Sequence, residues 1–191
     1  MTNPLLQQRG GEREPVPTML LSSILQRDTL KALTLTEPWC SLMRYGAKGV
    51  ETRSWTTQYR GPVALHAAKT LPKQLDAICE LPAFAKVLKE HGHYREKTMF
   101  PWKLFPVGKV LAIGMLEEIV RTEQIVANLD ASEVAFGDYT SGRYAWRFSA
   151  IYPLKTPIPV QGALWLWNWT PPAPFWDEIQ QQMSSQLEVT R

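Results

Sequence analysis

Cysteine is scarce in this chain: Cys40 and Cys79 are the only two among 191 residues. That is too few for the disulfide framework of a small secreted domain and fits a reducing cytoplasm. Long apolar runs are missing as well; none reaches the roughly 20 residues that cross a bilayer. The segment "MLLSSILQ" after Thr18 resembles a signal core only faintly, being short and wrongly flanked. Charge of one sign is also in short supply. A net charge of +3 permits a nucleic-acid partner but does not describe a long phosphate-tracking groove. Histidine is rare, and His91 and His93 have no carboxylate or cysteine spaced to complete a tetrahedral set. No metal and no cofactor are expected, and no internal repeat is found. The expectation is a cytoplasmic protein with no membrane contact.

What is present is apolar material for one sizeable core, 45% of the chain, with 20% charged residues. Residues 1–18 are polar and punctuated by Pro and Gly, so residues 1–30 are expected to be a flexible extension. The main domain is expected over 31–169, and a Pro-rich link with a C-terminal helix over 170–191. Strands are predicted at 31–36, 49–55, 62–68, 108–120, 144–154 and 163–169. A first helix begins at Pro38, with Thr36 or Glu37 as its cap. A second helical region covers 71–91 and is broken or kinked by Pro82. Residues 92–106 are expected to form a long loop with aromatic anchors, and 132–143 a Gly-rich loop. About six strands with two or three helices, and no regular βαβ repetition, predict an α+β fold built on a small mixed barrel.

The stretch "GAKGVETRSW", Gly46 to Trp55, concentrates polar function. In a strand, Glu51, Arg53 and Trp55 share one face, with Lys48 at its entrance. Two readings stand for Glu51 and Arg53. One is a solvated same-face ion pair; the other is a polar pocket floor, where a carboxylate accepts from an exocyclic amine and a guanidinium donates to carbonyl or phosphate oxygens. Lys48 is either an exposed turn lysine or, if drawn out of water, a base or nucleophile. Charges on a short strand flanked by apolar strands favour the pocket.

Trp39, Trp55 and Trp146 are candidates to stack a base, although eight tryptophans mean that several fill the core. Trp165, Trp167 and Trp169 fall on one strand face and are expected to pack under the C-terminal helix. His66, on the face opposite Val63 and Leu65, is a structural histidine or, if it faces the cleft, a proton-transfer or hydrogen-bonding group. The loop "FGDYTSGRYAW" offers Arg143 and Tyr144 as further contacts.

The ordered blocks "LTEPWCSLMRYGAKGVETRSW", "YRGPVALHAAK", "VGKVLAIGMLEE", "FGDYTSGRYAWRF" and "VQGALWLWNW" resemble the ASCH domain family of the PUA-like superfamily. The resemblance runs from about Leu33 to Trp169, and its most specific element is Gly-x-Lys-x-x-Glu-x-Arg. It implies a PUA-like β-barrel with a cleft beside the first helix, lined by Lys48 and the residues after it, and Arg143 and Tyr144 at the cleft mouth. It also implies roles with RNA or nucleosides. Some small bacterial members are amidohydrolases that deacylate a modified cytidine nucleoside, and at least one member is described as a ribonuclease. Lys48 and Arg53 carry over by position. The catalytic Thr of the amidohydrolase-like members does not, because Glu51 stands in its place.

Three functions follow. The first is a module binding RNA or a modified nucleoside through Lys48, Glu51, Arg53 and an aromatic shelf. The second is an amidohydrolase of acylated nucleosides, or a ribonuclease, using Lys48 and Glu51, with Glu117 or Glu118 as a further carboxylate. The third is a protein-interaction adaptor docking through the C-terminal helix, whose apolar side carries Phe175, Trp176, Ile179, Met183 and Leu187.

Overall fold

The computed structural model describes residues 18–93 and 104–189, with side chains through Ser185. Residues 1–17 of the expected extension, 94–103 of the expected long loop and the Leu187 side chain lie outside the described residues.

The runs of apolar residues in the middle of the chain become strands covered on both faces. Strands β1 (Leu30–Leu35), β3 (Gly61–Ala67), β4 (Lys109–Arg121) and β5 (Tyr144–Pro159) form the interior of one sheet edged by β2 (Val50–Arg53) and β6 (Leu166–Trp169), in the order β2-β5-β4-β3-β1-β6. β1 and β3 run parallel, with Leu33 beside Leu65, and the other neighbours are antiparallel. Alternation along each strand divides the core. Ala32, Ala64 and Ile113 face the first helix, α1 (Thr18–Leu25), and the last, α7 (Ala173–Val189). Leu33, Leu65 and Leu111 face α2 (Trp39–Arg44). Behind α2, Leu42 joins Leu75 of α3 (Leu75–Glu80) and Phe84 of α4 (Pro82–Glu90) in an outer cluster. Pro82 separates α3 from α4 by starting the latter, a first-turn position where its missing N–H costs nothing.

The fold is α+β with six strands, but the sheet does not close into a barrel. β2 (Val50–Arg53) and β6 (Leu166–Trp169) remain edges, each four residues long and each paired with one neighbour. Closure requires pairing between the first and last strands, and edges this short supply no ladder for it. The β2 edge is instead covered by a segment that also builds the candidate site. There are more helices than the two or three expected: α5 (Thr122–Ile125) and α6 (Ala131–Ala135) are short pieces between β4 and β5. β5 runs from Tyr144 to Pro159, past the predicted end at 154, despite Pro153, Pro157 and Pro159. β2 covers β5 only as far as Arg147, so beyond that residue one edge of β5 has no ladder to satisfy and prolines fit.

Part of the expected 1–30 extension is core. Leu20, Leu21 and Ile24 of α1 are buried against β1, β4 and α7. The apolar side of α7 packs inward too, Phe175 lying 5.3 Å from Trp169 and Ile179 being fully buried.

The predicted last strand starts late. Trp165 has φ +62°, so regular alternation begins only at Leu166. Trp167 and Trp169 pack on the α1/α7 side as expected, but Trp165 turns away from α7 and lies against Trp55. A residue in the left-handed region breaks the two-residue period that places all three rings on one face.

Candidate functional site

β2 alternates as its sequence dictates: Val50 and Thr52 are buried, Glu51 and Arg53 are half-buried. The inner pair is covered by the segment after α6. Asp130 caps that helix by accepting the Glu133 N–H at 2.8 Å, which turns the Glu133 side chain inward. The Glu133 carboxylate then accepts the Gly49 N–H at 2.7 Å and the Val50 N–H at 3.3 Å, closing the start of the exposed edge. Further along, Thr52 Oγ1 accepts the Asp138 N–H at 3.2 Å, and Thr52 O accepts from Arg143 at 3.2 Å. Gly137 permits this wrap, since a Cβ there would stand 2.6 Å from the Tyr139 ring.

Lys48 emerges from the turn that ends α2. Both Ala47 N–H and Lys48 N–H are held by Leu42 O. Its side chain is completely buried rather than standing at an entrance. The ammonium donates to Phe136 O at 3.0 Å and lies 3.6 Å from Glu133 Oε1 and 4.0 Å from Glu51 Oε2. Burial pushes the Glu133 carboxyl above the ordinary carboxylate range, opposed by Lys48, the two backbone amides and the Tyr139 hydroxyl. The same burial, together with Glu133, raises the Tyr139 hydroxyl.

Glu51 links this buried cluster to solvent. Its Oε1 lies 3.1 Å from Arg53 Nε, a charge contact off the line of a hydrogen bond. Arg53 donates to Thr34 O at 2.8 Å, which ties β2 to β1 across the sheet face. Glu51, Thr52 and Arg53 form one wall of a concave recess of about 420 Å³. Thr34, Thr36 and Trp39 form a second wall, and Ala135 to Asp138 a third. That volume falls in the range of small-molecule sites, roughly 300–1,000 Å³.

Beside the recess, Glu37 is wholly buried at the start of α2, where it accepts the Ser41 N–H and the Ser41 hydroxyl, both at 3.0 Å. Burial raises its pKa to about 7, against the pull of Ser41 and Arg44.

The structure therefore brings Glu51, Arg53 and Trp39 to one concavity, with Lys48 directly beneath. Arg143 braces the rim, its Nε lying 3.3 Å from Asp138 Oδ2. Three other expected contacts do not line the recess. Trp55 packs edge-on to Trp146 at 4.6 Å. Tyr144 lies under the Arg121 guanidinium, 4.2 Å from its ring centre. His66 is buried, with Nε2 3.1 Å from Val160 O and burial lowering its pKa. Glu118 pairs with Arg147 on the surface and is no part of the site. His91 and His93 pack against Tyr45, and among the described residues no group of three or more His, Cys, Asp or Glu is placed to hold a metal.

Two contributors escape the strand-and-loop reading. Thr34 is one of the alternating residues of β1. Glu133 falls in the segment predicted as a loop, although Asp130-x-x-Glu133 has the spacing of a helix start.

The ASCH domain model matches residues 33–147, which include the second half of β1, α2, β2 and the segment carrying Glu133. The chain belongs to the ASCH domain family. Among solved structures, ASCH from Zymomonas mobilis matches at 14% identity with a TM-score of 0.42, covering 81% of this chain and 93% of that one. Two point mutants of the same protein give similar figures, at TM-scores of 0.43 and 0.42 and identities of 14% and 13%. They cover 82% and 83% of this chain and 94% and 98% of theirs. At that identity and score the likeness carries no argument about chemistry. No curated protein matches. Among the described residues, no helix of this ASCH domain is long and apolar enough to cross a membrane.

Proposed function

We propose that this ASCH domain binds RNA or a modified nucleoside in the cytoplasm, holding one base in the recess between β1, β2 and the segment after α6. The observation that carries the reading is the fixed pair of Glu51 and Arg53 on the wall of that recess. A carboxylate there accepts from an exocyclic amine, and the guanidinium donates to a carbonyl or phosphate oxygen. Lys48 and Glu133 hold the wall in place from beneath, and Trp39 offers an indole to a base. The general association of ASCH domains with RNA supports the same assignment. The mild net charge of +3 suits a short single strand better than a duplex. In titrations with a panel of modified nucleosides and short RNAs, Arg53→Ala is expected to weaken binding about tenfold or more while the protein stays folded at the assay temperature. Unchanged affinity rules the assignment out.

A second reading rests on the Lys48, Glu51 and Glu133 cluster, which places two carboxylates and an ammonium within 4.0 Å of contact. In an amidohydrolase, water would add to the amide carbonyl of an acylated cytidine, releasing acetate and cytidine, with Glu51 moving the proton. The binding reading ranks first because the Lys48 ammonium is already donated to Phe136 O and compensated by carboxylates. Acetate release from acetylated cytidine by the wild type, lost in Glu51→Gln, supports hydrolysis. No turnover, or equal turnover in the variant, removes it.

A further inference from the structure

Two large apolar side chains of the turn before β6 stand in solvent: Leu164 is 84% exposed and Trp165 is 64% exposed. Scattered exposed apolar residues are ordinary. Trp165 is not ordinary, because among the described residues it is the one non-glycine with positive φ, a conformation that bulky side chains avoid. Strain of this kind persists where the surroundings enforce it, and it gathers at functional sites.

Here the surroundings do enforce it. The Thr34 hydroxyl donates to Ala163 O at 2.9 Å, and the Trp167 indole N–H donates to Thr34 Oγ1 at 3.2 Å. Gly162 is pressed onto the His66 ring so closely that a Cβ would stand 2.3 Å from it. The turn is thereby fixed, and the Trp165 ring rests edge-on against Trp55, with centroids 5.2 Å apart. Two routes connect it to the proposed site. Arg53 donates to Thr34 O, and the same Thr34 holds Ala163. Trp55 follows Arg53 by two residues and supports Trp165 from beneath.

We propose that Leu164 and Trp165 form a stacking platform for the base next to the one held in the recess. The ligand is then a single-stranded RNA of two or more nucleotides rather than a free nucleoside, an inference that rests on the reading of the recess given above. A pre-fixed aromatic without a charged neighbour on its own turn offers what every base provides, a π-face, and adds affinity without reading sequence. Its continuity with the recess through Thr34 and Trp55 favours an RNA neighbour over an unrelated protein surface.

The test uses the full chain, a labelled single-stranded RNA pentamer followed by anisotropy, and a nucleoside monophosphate followed by calorimetry. Trp165→Gly is the main variant, because glycine accepts the left-handed backbone; Trp165→Phe keeps a ring. Loss of one stacked base is expected to weaken pentamer binding about 5- to 150-fold in the glycine variant. The phenylalanine variant should retain most of the affinity, and the monophosphate should bind all three proteins equally. Pentamer affinity unchanged in Trp165→Gly overturns the platform while leaving the recess intact. An equal loss for pentamer and monophosphate also overturns it, by showing a general structural effect. If Trp165→Gly loses pentamer selectively and Arg53→Ala loses nothing, Trp165 contacts RNA but the recess reading falls, and with it the platform's place beside a recess-bound base. If the wild type binds neither ligand, both fall.

Discussion

Lys48 and Glu133 meet with neither side chain exposed to water, Nζ lying 3.6 Å from Oε1. The first comes from the turn after α2 and the second from α6, so the contact joins two separate stretches of chain that wall the recess. Removing one partner of a buried pair leaves a charge uncompensated and typically costs about 3–5 kcal/mol. Glu133→Gln removes the charge and keeps only one acceptor oxygen, so one of the Gly49 and Val50 amides, held by different carboxylate oxygens, loses its partner. It is expected to lower stability by about that amount in urea denaturation. Lys48→Met in the same background should cost less than the sum of the two single changes, because the unpaired ammonium is gone. Strict additivity would show that the ion pair does not hold the site.

Glu37 gives the fold a pH dependence of unusual sign. Its carboxyl rises from 4.5 to about 7 because of burial, so the folded chain binds this proton more tightly than the unfolded chain. Stability from this group is therefore present at low pH, falls as pH rises from about 4.5 to about 7, and is level above that. The full effect is about 3 kcal/mol. Glu37→Gln retains partners for Ser41 and loses the titration. The wild-type stability minus that of the variant, followed in urea from pH 4 to 8, should decline across the window. Glu133 is raised in both proteins and largely cancels in that comparison. A flat difference contradicts the assignment to Glu37.

Gly162→Ala tests whether His66 is a packing residue that pins the turn before β6. The added methyl must displace the ring, and overpacking of this kind costs about 1–3 kcal/mol. In a His66→Ala background the same change should cost less, the remaining tight neighbour being Thr34 Oγ1 at 3.0 Å, read from the shift of Tm across the four proteins of a double-mutant cycle. An equal cost in both backgrounds would place the strain elsewhere.

Much of the sheet is legible in the sequence because its strands are apolar on both faces. "KALTL", "PVALHAA" and "GKVLAIGMLEEIV" have little alternative to burial between helices. The pairing of Glu51 with Arg53 follows from the two-residue period of β2. Closure is not legible, because it depends on whether β2 meets β6, and neither strand's composition records its neighbour. Whether Lys48 is an exposed turn lysine or one drawn out of water is not legible, because the carboxylate that buries it lies far along the chain, in a segment whose glycines suggest a loop. Trp165 looks like one ring of a regular triplet, since a tryptophan gives no sign that its backbone is left-handed.

The most direct measurement of the central claim is the map of backbone amide shifts in a 15N-labelled sample titrated with a short single-stranded RNA. Saturable changes are expected, concentrated at Thr34, Thr36, Glu51, Arg53, Gly137 and Asp138 and extending to Trp165. Those changes should be absent in Arg53→Ala at the same concentrations. Changes confined to surfaces away from β2 and the segment after α6, or an unaltered spectrum at saturating RNA, would contradict it.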